Sequence, residues 1–138
     1  MTVIAHTDGA SRGNPGESGV GVLLKDENGN VIVALSDYIG TATNNVAEYT
    51  ALITCLRLAQ ETKCTRLIVH SDSELMVRQV QGTYKVKDAG LKPLFAQVQQ
   101  LLATVPFEVE FRHVSREENA EADNLANRGI NLKRTVRN

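Results

Sequence analysis

The chain contains no tryptophan and only three phenylalanines, three tyrosines, three prolines and two cysteines. Two cysteines are too few for a disulfide framework, and Cys55, beside an apolar helical stripe, reads as a small core residue. No apolar run approaches the roughly 18 residues that a membrane span requires. The N-terminus lacks the pattern of a signal peptide, so no membrane association and a cytoplasmic setting are expected. A basic excess is missing too: 15 Lys and Arg stand against 16 Asp and Glu, a net charge of −1, whereas nucleic-acid binders are often basic. Internal repeats, linkers and low-complexity segments are absent as well. What remains, 42% hydrophobic and 22% charged residues over 138 positions, suits one domain spanning 1–138 that buries about two-thirds of its unfolded surface.

Against that ordinary background, four acidic residues stand in related settings. Asp8 ends the apolar run Thr2-Val3-Ile4-Ala5-His6-Thr7 and is followed at once by the small, glycine-rich Gly9-Ala10-Ser11-Arg12-Gly13-Asn14-Pro15-Gly16, which leaves room for a metal ion and a close backbone. Glu48 follows Thr43-Asn44-Asn45, where the asparagines read as a helix N-cap and place Glu48 in the first turn. Asp72 closes the run Leu67-Ile68-Val69-His70-Ser71, and Asp123 lies just inside a C-terminal helix. Two strand ends and two early helix turns can meet at one rim of a sheet. Four crowded carboxylates repel one another, and divalent cations with hard oxygen preferences relieve them. A pair of such ions can drive phosphodiester cleavage. Singly, each acid reads as a cap or a solvated surface group; together they do not.

Periodicity supplies the architecture. Strands are expected at 2–8, 18–25 and 31–39, a long helix at 44–62, a strand at 66–71 and a short helix at 73–81. A helix at 91–104, a strand at 107–113 and a final helix at 117–128 follow. Three hairpin-linked strands and two helix-separated ones imply an α/β fold: a mixed five-stranded sheet, three antiparallel strands plus two parallel, with helices on both faces. His6 and His70 fall within strands and read as sheet-face residues. The segment 129–138 reads as a basic tail, mobile over its last few residues.

The ordered motifs T-D-G-A-S-R-G-N-P-G, T-N-N-V-A-E, S-D-S and E-N-A-E-A-D-N-L-A resemble type 1 ribonuclease H from about Thr2 to Arg128. The resemblance implies the ribonuclease H-like fold and two magnesium ions, or manganese as substitute, bound by Asp8, Glu48, Asp72 and Asp123. It implies hydrolysis of the RNA strand of an RNA–DNA hybrid, leaving 5′-phosphate and 3′-hydroxyl ends. Gly9, Ser11, Asn14, Asn44, Glu48 and Glu74 would line the RNA strand; Asn14, Thr43 and Asn45 would help hold the DNA strand or its phosphates. Asn119 matches a position beside the site.

Departures from the family pattern matter as well. The interval from Gly82 to Leu94 is short, lacks tryptophan and offers only Tyr84, Lys85, Lys87 and Lys92. The chain therefore resembles the compact subgroup that lacks both the basic protrusion and an N-terminal hybrid-binding domain. Glu74 stands where glutamine is common, and Val46 where some relatives carry a basic residue. His113 precedes Asp123 by ten positions, the family spacing for a histidine that assists turnover; Arg116 matches an arginine that takes that role in the compact subgroup, and is favoured. A monomer of modest, salt-sensitive affinity is expected. Cleavage of double-stranded RNA, which some compact relatives perform, is left open. The alternatives are a DNA-cutting nuclease of the same superfamily and a non-catalytic hybrid-binding module.

Overall fold

A computed structural model describes residues 1–138. Six strands form one sheet: β1 (Thr2–Gly13), β2 (Gly16–Lys25), β3 (Val31–Ala42), β4 (Arg66–Ser71), β5 (Glu108–His113) and β6 (Val136–Arg137). Their order is β5-β4-β1-β2-β3-β6. β1, β2 and β3 pair antiparallel, β4 runs parallel to β1 and to β5, and β6 returns antiparallel to β3. Four helices cover it: α1 (Asn44–Glu61), α2 (Glu74–Val80), α3 (Lys92–Thr104) and α4 (Ala120–Leu132). None is long and apolar enough to cross a membrane.

Strand alternation divides the side chains between two faces. Val3 and Ala5 of β1, Val22 and Leu24 of β2 and Leu67 and Val69 of β4 join Tyr49, Leu52 and Leu56 of α1 in one apolar cluster. Val98 of α3 closes its far side, and Cys55 and Cys64 are buried within it as free thiols. Tyr49 is fully buried, and its hydroxyl donates to Gln79 Oε1 at 2.6 Å. Gln79 Nε2 in turn donates to the Lys85 carbonyl at 3.5 Å. One buried amide thus ties the polar connection before α3 to the core. On the opposite face, which α4 covers, His6 and His70 stack with ring centroids 4.5 Å apart.

The five expected strands and four helices are present, but β1 does not stop at Asp8: Gly9 to Gly13 pair with Val20 to Gly16 of β2, so Asp8 stands inside the strand rather than at its end. Four further differences stand out. α1 is capped by Thr43, whose Oγ1 accepts from the Val46 N–H at 3.2 Å; the asparagines are helical residues, and Glu48 lies beyond the first turn. α4 starts after a single 3-10 turn at Glu117–Asn119 and continues past Gly129. Gly129 is a packing position, since a Cβ there would lie 2.3 Å from the Asp37 carbonyl oxygen. The tail is the third correction. Lys133 turns the chain at φ 51°, and Val136 and Arg137 pair with Ser36 and Leu35. Asn138 and Ala34 exchange backbone hydrogen bonds at 2.9 and 3.2 Å. Unpaired backbone groups at the edge of β3 take the end of the chain as a partner. The fourth difference follows from the third: the sheet has six strands rather than five.

Candidate active site

Asp8 projects from β1 where that strand pairs Asp8 with Gly21 of β2. Asp72 follows the last residue of β4, the strand parallel to β1 on its other side. Glu48 comes from α1 and Asp123 from α4, so two helices on opposite faces must both reach the β1 rim. Glycines allow this. A Cβ on Gly9 would sit 2.2 Å from the Ala47 carbonyl carbon in α1, and one on Gly21 would sit 2.2 Å from the Ala122 oxygen in α4. Both helices therefore pack against backbone at the level of Asp8.

The four carboxylates line one cleft of about 250 Å³ with Gly9, Ala10, Ser11, Asn44, Arg116 and Asn127. Carboxylate oxygens of Asp8, Glu48 and Asp72 lie within 4.8 Å of one another; Asp123 lines the same cleft outside that trio. Asp8 and Glu48 are buried, and the Gly9 N–H donates to Glu48 Oε1 at 2.8 Å. Burial, with Glu48 next in weight, pushes the Asp8 carboxyl up to about 9. Burial and then the Asp72 charge push Glu48 up to about 8, against the opposing pull of the Gly9 N–H and Arg116. Without a counter-charge this cluster keeps protons. An all-oxygen donor set with that much stored repulsion fits a hard divalent cation.

The remaining expected residues divide into two groups. Asn119 is buried and donates to Asp72 Oδ2 at 3.1 Å and to the Thr7 carbonyl at 2.9 Å, holding the Asp72 carboxylate in orientation. Ser11 Oγ donates to the Ala42 carbonyl at 3.0 Å, and Asn14 Oδ1 accepts from the Asn44 N–H at 3.0 Å. These bonds fasten the β1–β2 turn to the start of α1, where Thr43 caps the helix and Asn45 is half-buried. Glu74 lies outside the cleft lining, exposed, with Arg78 at 3.8 Å. His113 is also outside it: β5 extends to this residue, pairs it with Ser71 and leaves it exposed. Arg116, in the segment after β5, lines the cleft. Asn127 was not anticipated. Its signal was the spacing of four from Asp123, which places both on one face of a helix.

The reverse transcriptase-like family matches residues 6–129. A bifunctional protein of Mycobacterium tuberculosis is 41% identical over 128 residues, which cover 92% of this chain and 35% of that protein. Ribonuclease HI of Halobacterium salinarum is 38% identical over 128 residues, covering 93% of this chain and 64% of that protein. The chain thus spans between about a third and two-thirds of these curated relatives. The crystal structure of LC11-RNase H1 in complex with an RNA/DNA hybrid superimposes with a TM-score of 0.91 at 44% identity, covering 95% of this chain and 98% of that one. With the four carboxylates gathered on this sheet, these likenesses show that the chain belongs to the type 1 ribonuclease H family.

Proposed function

We propose that residues 1–138 form one catalytic domain, acting as a monomer, that hydrolyses the RNA strand of RNA–DNA hybrids. The products are 5′-phosphate and 3′-hydroxyl ends, and magnesium is the cation, with manganese as substitute. One observation carries this reading: Asp8, Glu48, Asp72 and Asp123, distant in sequence, face one cleft beside an arginine. The hybrid bound to the related LC11-RNase H1 supports the substrate class.

Asp8, Glu48, Asp72 and Asp123 would hold the metal. Bound divalent cations at such a set supply an activated water and stabilise the leaving oxygen. The chain itself must keep the carboxylates aimed: the Gly9 N–H fixes Glu48, and the Asn119 amide fixes Asp72. Arg116 offers a planar fork of donors and no acceptor, so its role is to grip phosphate and aid product release rather than to take a proton. We assign no step to His113. Gly9, Ser11, Asn14, Thr43, Asn44 and Asn45 form the strip beside the cleft along which the two strands of the hybrid would lie, close enough to sense the RNA 2′-hydroxyl.

The test is cleavage of an end-labelled hybrid with magnesium, manganese or EDTA, beside matched double-stranded RNA and DNA. Metal-dependent cutting of the hybrid's RNA strand, lost in Asp72→Asn, supports the reading. Cutting of DNA, or hybrid binding without cutting in either metal, sinks it. Equal cutting of double-stranded RNA broadens the substrate class.

A further inference from the structure

The four carboxylates are not held alike. Glu48 and Asp72 each take a hydrogen bond from a different element, whereas Asp123 is served from one turn further along its own helix. Asn127 Nδ2 donates to Asp123 Oδ1 at 3.3 Å and to the Asp123 carbonyl at 3.1 Å. The opposite side of the Asn127 amide is engaged too: Arg12 Nη2 donates to Asn127 Oδ1 at 3.3 Å and to its carbonyl at 3.5 Å. Arginine can only donate and a backbone carbonyl, here that of Asp123, can only accept. These two neighbours therefore leave the amide a single orientation, oxygen toward β1 and nitrogen toward Asp123.

We propose that Asn127 is the positioning residue for Asp123, and that Arg12 sets its amide. The end of β1 thereby helps to place the fourth carboxylate. This deepens the hybrid-hydrolysis reading and rests on it for the reaction, though not for cation binding. Partners that orient a metal-binding side chain typically account for about 10–100-fold in affinity or activity. Asn127→Ala leaves Asp123 free to choose among rotamers, so cation affinity and kcat should each fall about tenfold. KM for the hybrid should stay within about twofold, because the residue aims a carboxylate rather than grips substrate. Asn127→Gln keeps an amide within reach of an Asp one turn away and should recover most of the loss. Arg12→Ala should weaken cation binding about threefold, and combined with Asn127→Ala should add nothing on cation affinity, since both act through one amide.

The decisive experiment is calorimetric titration of Mn²⁺ into the substrate-free full chain. It covers wild type, the two Asn127 variants, Arg12→Ala and the double variant, with Arg128→Ala as a control on the same helix. Steady-state hybrid cleavage and thermal melts accompany it. Weaker Mn²⁺ binding in Asn127→Ala, recovery in Asn127→Gln and non-additivity with Arg12→Ala support the proposal. Unchanged Mn²⁺ affinity in a folded Asn127→Ala overturns it, as does failure of the glutamine to recover the loss, or strict additivity. A wild type that binds Mn²⁺ but leaves the hybrid intact would sink the hydrolysis reading alone, with the titrations still judging Asn127.

Discussion

On the α1 side, the central strands offer Val3, Ala5, Val22 and Leu24 to an apolar cluster built on Tyr49, Leu52 and Leu56. On the α4 side, Gly21, the partner of Asp8 across β1 and β2, faces Ala122 and Ala126, and the helix approaches until backbone meets backbone. Large side chains bury area, and area stabilises. Small ones contribute little area but fix distance, because no side chain intervenes to adjust. The first face holds the fold together; the second sets where Asp123 stands relative to Asp8.

The largest expected effect separates the two properties most sharply. Asp8→Asn should lower hybrid cleavage at least about a thousandfold, a loss of about 4 kcal/mol in transition-state stabilisation. It should also stabilise the metal-free protein at alkaline pH. The folded Asp8 carboxyl titrates at about 9, against an ordinary value of 3.8. Between those values the folded state holds a proton that the unfolded state has released, so metal-free stability is fully present below the ordinary value and declines as pH rises toward 9. Melting curves of metal-free protein at pH 5 and pH 8 should show this decline shrinking in Asp8→Asn, with a Tm at pH 8 higher by about 5 °C. A wild-type Tm independent of pH would count against the buried, protonated cluster.

Leu52→Ala, on the α1 side, should cost about 3 kcal/mol in urea unfolding while leaving kcat of the remaining folded enzyme within about twofold. Gly21→Ala should do the reverse. A Cβ placed 2.2 Å from the Ala122 oxygen must displace α4, and a shift of about 1 Å at a catalytic group can cost about 100-fold in rate; the stability loss should be smaller than that of Leu52→Ala. If Gly21→Ala keeps full activity, the contrast between the faces is wrong. The smallest effect belongs to Arg137→Ala, which removes an exposed ion pair to Glu61 at 2.9 Å and should change stability by no more than about 0.5 kcal/mol.

The elements legible in the sequence were those whose signals are local. Asp8 and Asp72 could be placed because each ends an apolar run that reads as a strand, although β1 continues past Asp8 to Gly13, since its small polar residues still pair with β2. His113 and Arg116 could not be ranked by spacing alone, since the point where β5 stops decides which one reaches the cleft, and that depends on pairing with β4. Gly129 reads as a helix stop unless the approach of β3 is known. Val136 shows no strand pattern in two residues; its pairing follows from an edge supplied by β3, about a hundred positions earlier. Asn127 carried a helical-spacing signal, but its amide is meaningful only once Arg12 arrives from the far end of the chain.

The connection between α2 and α3 has a consequence for assembly. It is exposed over most of 81–90, carries Lys85 and Lys87, and is tied to the core by the Gln79 amide. A trypsin cut there would leave Asp8, Glu48 and Asp72 on one fragment and Asp123 on the other. The fragments interlock through β4–β5 and β3–β6 pairing and through the seat of α4 on β2. Neither holds a complete carboxylate set, so metal-dependent hybrid cleavage by the mixed fragments would report their reassociation.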